Sequence, residues 1–324
     1  MDILKDGRGS SPTAPGAGTS PEPVRFRLAQ QSPRYGERLV KTALAAAGGL
    51  SVLVTVGIVF ALLIPALDFF REVSVWSFLT GSRWAPTFAD PSFGVLPLIT
   101  GTLWTTAIGL MVAVPAGLGA AIYLSEYADA RVRKFLKPIL EILAGVPSVV
   151  YGYFALAFVA PVLLDKLLHI SVGTYSVLAA GLVLGVMIIP TVASLSEDAM
   201  SAVPRSLRDG SLALGANKMR TTLRVVFPAA ISGIAASIVL AVSRAVGETM
   251  IVALAAGTRA QVVTDPTMNG QTMTGFIAQT ATGENTPGTL TYNTLFAVGL
   301  LLFAITLLFN IISIRLVRRF REAY

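Results

Sequence analysis

The chain has 324 residues, of which 54% are hydrophobic and only 13% are charged. Soluble domains carry about 25% charged residues, so this composition excludes an ordinary soluble enzyme and indicates a membrane protein. The absence of cysteine excludes disulfides, zinc–thiolate sites and iron–sulfur clusters, and the single histidine argues against a histidine-based metal centre. The net charge of +7 does not indicate nucleic-acid binding, because the cations lie between long apolar runs.

Residues 1–41 differ in composition from the rest of the chain. They are rich in Gly, Pro, Ser and Thr, lack apolar periodicity and end in a basic stretch. Such a segment cannot bury enough apolar surface to order itself, so we predict a disordered, basic cytoplasmic tail. It does not resemble a cleavable signal, because the first apolar run starts too late and is too long.

Six apolar runs follow, each close to or above the length of about 20 residues that a helix needs to cross a bilayer. They cover residues 42–66, 98–125, 142–164, 176–196, 229–256 and 294–314. In lipid, the backbone N–H and C=O groups must form hydrogen bonds within the protein, which only helices and closed β-barrels achieve. The runs do not alternate between apolar and polar residues as barrel strands do, so we predict an all-α integral membrane protein. The six-helix transmembrane domain is expected over residues 42–318, followed by a cytoplasmic C-terminal end over residues 319–324. In the fourth run, Gly181 and Gly185 form a motif that permits close helix packing.

The distribution of Lys and Arg predicts the orientation of the spans. Twenty of these residues lie in the N-terminal tail, in residues 126–141 and 197–228, and after Ile314, whereas four lie in the other three loops. A bias that alternates with the spans places the basic segments in the cytoplasm. Both termini are therefore expected to be cytoplasmic.

One cation, Arg244, lies inside the fifth apolar run. It is 15 residues past Ala229, or about 22 Å along a helix, near the middle of the bilayer, where a charge costs at least about 2.5–3.5 kcal/mol. Glu248 follows four residues later, so the two side chains are predicted to share a helix face that points into the bundle or a translocation cavity. The pair either locks two helices together or serves transport. In the transport interpretation Arg244 binds a small oxyanion through paired hydrogen bonds, and Glu248 orients Arg244 when the path is empty.

The segment between the fourth and fifth runs predicts two short helices. Residues 206–214 have an amphipathic pattern, and Gly215 is suited to end that helix, since glycine accepts the left-handed conformation common at helix C-termini. Residues 217–226 predict a second helix, and Pro228 is expected to open the fifth span. A helix–glycine–helix elbow of this kind is suited to docking a partner.

The elbow resembles the cytoplasmic signature of ABC importer permeases: Glu-Ala-Ala, three residues, Gly, nine residues, Ile, one residue, Leu-Pro. The corresponding residues here begin at Asp209, continue through Gly215 and end at Pro228. Three further stretches, Phe93–Leu98, Ala144–Gly152 and Ser243–Met250, are similar to the PstC-type phosphate permeases of that family. The resemblance implies the MetI-like fold of the binding-protein-dependent importers.

The resemblance also implies roles for two sets of residues. The first set would couple the chain to an ATPase, with the elbow acting as the coupling helix in a groove of that subunit: Asp209, Ala213, Gly215, Phe227 and Pro228. The second set would line the substrate path: Ser243, Arg244, Glu248 and Thr249.

The chain has no phosphate-binding P-loop and no recognisable catalytic motif, so we predict no enzymatic activity, no catalytic residues and no metal ligands in it. The resemblance implies a permease subunit for inorganic phosphate in the cytoplasmic membrane of a prokaryote. ATP and magnesium would be bound by a partner ATPase dimer of the PstB type. The other implied partners are a second, PstA-like permease chain, an extracytoplasmic phosphate-binding protein of the PstS type, and membrane lipid.

Four alternatives stay open at this point. The chain could be the sister phosphate permease subunit, or it could carry another oxyanion such as sulfate or molybdate. It could be an ion-coupled secondary anion transporter, although such proteins need no docking elbow and usually show internal inverted repeats. It could also be an intramembrane enzyme acting on lipid, for which Arg244 and Glu248 are the only available reactive groups.

Overall fold

The computed structural model describes residues 35–283 and 286–319. The chain divides into two compact units, residues 1–53 and residues 54–324. Apart from the N-terminal part of the first helix, everything described below belongs to the second unit.

The described chain is almost entirely helical. In chain order its helices are α1 (Tyr35–Glu72), α2 (Val75–Thr80), α3 (Leu96–Ile122), α4 (Ala130–Gly145), α5 (Ser148–Phe154), α6 (Val177–Ser201), α7 (Arg205–Ala213), α8 (Lys218–Thr221), α9 (Phe227–Ala229), α10 (Ile231–Gly247), α11 (Met250–Ala255), α12 (Met273–Thr282) and α13 (Leu290–Arg319). Three π-helical stretches continue α3, α5 and α8, at Tyr123–Tyr127, Ala155–Leu167 and Thr222–Val226. A short antiparallel hairpin, β1 (Trp84–Ala85) and β2 (Ser92–Phe93), precedes α3.

The chain is mostly helical, as predicted, and its described residues have five or six candidate membrane spans. Five helices are long and apolar enough to cross a bilayer: α1, α3 with its π stretch, α5 with its π stretch, α6 and α13. A sixth span results if residues 218–229 and 231–247, which meet at a bend of 70°, are counted together. The predicted number of six and the cytoplasmic placement of both termini stay predictions.

The helices at the two ends of the chain extend beyond the predicted apolar runs. Helix α1 begins at Tyr35, so residues 35–41, which were predicted to belong to the tail, are helical. Helix α13 continues to Arg319. Hydropathy locates the part of a helix that suits the hydrocarbon core, whereas the helix itself continues while its backbone hydrogen bonds continue. The predicted tail over residues 1–34 and the end over residues 320–324 lie outside the described residues.

The third predicted span is interrupted near its start. Helix α4 ends at Gly145, and α5 begins only at Ser148, after an extended backbone at Val146 and Pro147. Proline has no N–H to donate and disfavours helical backbone in the residue before it, so the helix stops there. The prediction of one helix over residues 142–164 is therefore wrong in its first part.

The fifth predicted span is also interrupted, and the prediction of one helix over residues 229–256 is wrong. Pro228 does not open this span, because it lies in α9, before the 70° bend that precedes α10. Helix α10 then ends at Gly247, Glu248 is extended, and α11 begins at Met250. The fifth run therefore holds three helical pieces in place of one.

Helices α3 and α6 form the tightly packed centre of the fold. A Cβ atom built on Gly181 would lie 2.7 Å from the Cβ of Ile108, and one built on Gly185 would lie 2.8 Å from the backbone oxygen of Gly109. Real Cβ atoms do not approach other atoms so closely, so glycine is needed at both positions. The predicted role of Gly181 and Gly185 in close helix packing is confirmed.

The loop at residues 256–272 is hydrogen-bonded to the N-terminal ends of α3 and α6. Trp104 Nε1 donates to the carbonyl of Val263 at 3.0 Å, and the N–H of Val263 donates to Thr100 Oγ1 at 3.1 Å. The N–H of Val177 donates to the carbonyl of Met268 at 3.1 Å. This end of the bundle is therefore closed by an ordered loop, which leads into α12.

Candidate functional site

Arg244 lies one turn before the end of α10, on the surface of the chain. Its side chain is exposed, and its Nη1 lies 3.5 Å from Thr191 Oγ1 on α6, which is a long hydrogen bond. Within the described residues it forms no ion pair with a carboxylate. Charged side chains in apolar segments face the bundle interior or a water-filled cavity, or pair with another charge, so the exposed guanidinium of Arg244 marks a candidate site for an anion.

Glu248 does not pair with Arg244. Its Oε1 accepts hydrogen bonds from the backbone N–H groups of Met250 at 3.0 Å and Ile251 at 3.3 Å, so the carboxylate caps the start of α11. Its backbone oxygen accepts from Thr274 Oγ1 at 2.7 Å. Negative charge is favourable at a helix N-terminus, which explains why the chain breaks here and turns the carboxylate towards α11. The predicted helix face shared by Arg244 and Glu248 is therefore wrong.

The other two predicted path residues point in different directions. Ser243 Oγ donates to Asn310 Oδ1 at 2.6 Å and so ties α10 to α13. Thr249 Oγ1 donates to the carbonyl of Gly247 at 3.3 Å. This bond gives a partner to a backbone carbonyl at the break between α10 and α11. Of the four predicted residues, Arg244 alone presents an exposed charge with no ionic partner in the described chain.

The two interrupted spans meet one another. Helix α5 packs against α11 so closely that a Cβ on Gly152 would lie 2.9 Å from Leu254 Cδ1. Tyr151 Oη donates to the carbonyl of Leu143 at 2.8 Å, at the end of α4. Non-helical backbone at membrane depth is tolerated only where it is buried in protein or lines a water-filled cavity. The breaks and Arg244 together therefore mark a candidate translocation surface.

The elbow has the predicted form. Helix α7 begins one residue earlier than predicted and ends at Ala213, and Gly215 adopts a φ of +81°. Asn217 Oδ1 accepts from the N–H of Arg220 at 2.8 Å and so caps α8, where the second helix was expected. Ser211 and Thr221 join the two arms of the elbow through their hydroxyls, 2.9 Å apart.

The surface of the elbow combines exposed apolar side chains with charged ones. Leu214 is 89% exposed and Met219 is 63% exposed, and α7 contains no buried residue. Asp209 and Ala213 are exposed on α7, whereas Phe227 is half-buried at the other end of the elbow. Exposed apolar side chains next to charged ones are typical of a surface that a partner covers.

Arg208, which sequence reasoning did not single out, is the residue that holds the elbow in place. Its Nη2 donates to Glu126 Oε1 at 3.0 Å and to the carbonyl of Met200 at 2.7 Å, and its Nη1 donates to the carbonyl of Val203 at 2.5 Å. Glu126 lies in the π stretch after α3, and Met200 lies in the last turn of α6. One guanidinium therefore connects three helical elements, and no local spacing in the sequence reveals it.

A second polar cluster connects α4 with α6. Glu197, whose side chain is 1% exposed, forms an ion pair with Arg133, and its Oε2 accepts from Lys137 Nζ at 2.7 Å. Lys137 also bonds Asp198 Oδ1 at 2.8 Å. These partners are 60 or more residues apart in sequence, so only the fold brings them together. Across the described residues, no group of three or more His, Asp or Glu side chains is placed to hold a metal ion.

Comparison with known proteins gives a consistent result. Residues 113–322 match the family described as "Binding-protein-dependent transport system inner membrane component". The chain is similar to the probable ABC transporter permease protein YqgH of Bacillus subtilis, with 37% identity over 88% of this chain and 91% of that protein. It is also similar to the phosphate transport system permease protein PstC 1 of Mycobacterium tuberculosis, with 37% identity over 70% of this chain and 73% of that protein.

Solved structures show the same fold. A chain of the MetNI methionine ABC transporter in an inward-facing conformation superposes with a TM-score of 0.52 and 21% identity, over 71% of this chain and 95% of that one. At this level of identity the likeness concerns the fold alone. The expected MetI-like architecture is confirmed.

Proposed function

Because the chain belongs to the family of binding-protein-dependent transport system inner membrane components, we propose that it serves an ABC importer as the permease subunit for inorganic phosphate. Permeases of this family are membrane components, and ATP hydrolysis belongs to a separate subunit. The naming of several relatives as phosphate permeases supports phosphate as the cargo.

The observation that carries the proposal is the exposed guanidinium of Arg244, which pairs with no carboxylate among the described residues. Its own neighbour Glu248 is engaged in capping α11, so the guanidinium stays available to an anion. A planar guanidinium donates two parallel hydrogen bonds to phosphate oxygens, which a passing anion accepts without any covalent step. Glu248 then serves the path indirectly, because it stabilises the break beside Arg244 instead of neutralising it.

The elbow supports coupling to an ATPase. Its exposed apolar side chains, together with Asp209 and Ala213 on α7, form a surface suited to a groove on a partner subunit. In this proposal the elbow faces the cytoplasm of a prokaryote, and both termini lie on the same side. ATP binding by the partner dimer, with its magnesium, drives alternation by favouring one state of the permease pair.

The partners follow from the same proposal. One chain of this size exposes Arg244 and both helix breaks at its surface, so a second, homologous permease is needed to enclose a path. An extracytoplasmic phosphate-binding protein would deliver the anion to the end closed by residues 256–272. Sulfate or molybdate would suit the same guanidinium, whereas an ion-coupled transporter would have no use for the elbow.

The test is ATP-dependent uptake into proteoliposomes that contain the whole importer, with radiolabelled phosphate, sulfate and molybdate supplied separately with their binding proteins. We expect phosphate uptake by the wild type and a loss of about 100-fold in Arg244→Gln, because two charge-assisted hydrogen bonds are removed. Arg244→Lys should retain part of the activity, since an ammonium keeps the charge but loses the paired geometry. Arg131→Gln removes an exposed cation from α4 and serves as the matched control.

Three other results would each contradict one part of the proposal: the role of Arg244, the identity of the transported anion, or the use of ATP. Phosphate uptake near the wild-type level in Arg244→Gln, with intact assembly, removes Arg244 from the path. Preferential uptake of sulfate or molybdate would identify that anion, and not phosphate, as the transported substrate. Uptake driven by an ion gradient without ATP overturns the assignment to ABC importers.

A further inference from the structure

The three hydrogen bonds of Arg208 connect the elbow to two spans at once. We propose that Arg208, positioned by Glu126, is the residue that transmits movement of the elbow helix α7 to the packed pair α3 and α6. This inference rests on the proposed function, because it assumes that an ATPase moves the elbow. It assigns to Arg208 a positioning role, distinct from contact with the transported anion.

The contacts of Arg208 are shielded from water. The side chain of Arg208 is 19% exposed, and that of Glu126 is 7% exposed. Hydrogen bonds to charged groups are among the strongest in proteins, and removing one partner leaves the other without compensation. Met200 lies in the last turn of α6 and Val203 lies just beyond it, and a cation is favourable at this C-terminal end of a helix. The link therefore resists separation of α7 from both spans.

The two spans that receive this link move together. Glycines at their interface bring α3 and α6 into contact along most of their length: beyond the contacts of Gly181 and Gly185, a Cβ on Gly117 would lie 2.7 Å from the Cβ of Val192. Packed interfaces of this density transmit displacement instead of absorbing it. A shift imposed on α7 is therefore carried along α6 towards the middle of the bundle.

The helix that bears Arg244 rests on the same span. Ser196 of α6 and Ser237 of α10 share a buried hydrogen bond of 2.8 Å between their hydroxyls. One turn away, a Cβ on Gly233 would lie 2.4 Å from the Cβ of Ala199, and Arg244 itself reaches Thr191 on α6. A displacement of α7 that passes through Arg208 to α6 would therefore reach α10, the helix that carries Arg244.

The main experiment measures coupling in the complete importer, reconstituted with its partner permease, ATPase dimer and phosphate-binding protein. For Arg208→Gln we expect about a tenfold fall in the amount of phosphate transported per ATP hydrolysed, because the charge-assisted hydrogen bonds to Glu126, Met200 and Val203 are lost. ATP hydrolysis itself should be retained. Glu126→Gln should give a smaller fall, because the bonds from Arg208 to α6 remain, and the double variant should resemble Arg208→Gln alone. Arg131→Gln should keep the wild-type ratio.

Two outcomes overturn the inference. One is an unchanged ratio of transport to hydrolysis in Arg208→Gln. The other is a proportional fall of both activities that tracks the amount of assembled complex, which would make Arg208 a merely structural residue.

A second measurement does not depend on transport. The chain contains no cysteine, so spin labels can be attached to Ser206→Cys on α7 and Met111→Cys on α3 without removing native thiols. We expect Arg208→Gln to broaden the distribution of distances between the two labels in the assembled importer, and an unchanged distribution overturns the inference. Failure of the wild-type importer to carry phosphate would contradict the proposed function, while the label distances would still test the link itself.

Discussion

Replacing Gly185 by alanine places a methyl group where α6 touches α3. The new carbon would lie 2.7 Å from the Cβ of Val112 and 2.8 Å from the backbone oxygen of Gly109. Rotation of the valine side chain does not move its Cβ, and the backbone carbonyl in the middle of a helix is also fixed. The two helices must therefore separate, and the contacts along their shared face are weakened together.

The size of the effect follows from two opposing contributions. Forcing an extra methyl group into a packed interior costs about 1–3 kcal/mol. Alanine in place of glycine within a helix otherwise gains about 0.5–1 kcal/mol. For Gly185→Ala we therefore expect a net loss of about 0–2.5 kcal/mol in the free energy of unfolding.

Gly119 provides the matched control. It also lies within a membrane helix, α3, but nothing lies within 4 Å of a Cβ built on it. Gly119→Ala should therefore keep the helix-propensity gain without the steric cost, and raise the stability by about 0.5–1 kcal/mol. The two variants carry the same chemical change and are expected to have effects of opposite sign.

The assay is reversible unfolding of the purified chain in mixed micelles, followed by circular dichroism as a denaturing detergent is added. Stability of Gly185→Ala equal to or greater than that of Gly119→Ala would refute the close approach of α3 and α6. It would also remove the rigid pair on which transmission from Arg208 to α10 depends.

Two further predictions concern the polar contacts that the fold creates. Glu248→Ala should lower the stability by about 1 kcal/mol and speed hydrogen exchange at the amides of Met250 and Ile251, because it removes the cap of α11. Glu248→Gln keeps an acceptor oxygen and should have a smaller effect. Equal exchange rates in the wild type and both variants would contradict the capping role. Glu197→Gln should lower the stability by about 1–3 kcal/mol in the same unfolding assay, since Arg133 and Lys137 lose the buried negative charge that they share, and unchanged stability would contradict the cluster.

Long apolar runs predict the helices well, because crossing a bilayer leaves the backbone no alternative to internal hydrogen bonding. The elbow was also predictable, since Gly215 and Asn217 act through local backbone conformation: one adopts a positive φ, and the other caps the helix that follows it. Both predictions depend on interactions within a few residues. That is the range over which sequence patterns carry information about structure.

The breaks in the third and fifth spans were not predicted, although their residues were noticed. Hydropathy does not register the first break, because Val146 and Pro147 lie within a long uncharged run. At Glu248 the competing interaction is tertiary in part, since Thr274 supplies a donor to the free carbonyl from another helix. The role of Arg208 has the same origin, since its side-chain acceptor, Glu126 Oε1, lies 82 residues away.

Glu248 caps α11 and does not neutralise Arg244, so the guanidinium of Arg244 can bind a transported anion. On a continuous helix, a pair four residues apart would gain about 0.3–0.5 kcal/mol. Capping α11 satisfies two backbone N–H groups and places the carboxylate at the positive end of a helix, which outweighs that gain. The guanidinium of Arg244 is then free of any carboxylate among the described residues. A carboxylate on a neighbouring permease would neutralise Arg244 permanently, so Arg244→Gln would leave that carboxylate unpaired and weaken assembly. A transported oxyanion neutralises it only in passage, so the same variant would assemble normally and lose uptake.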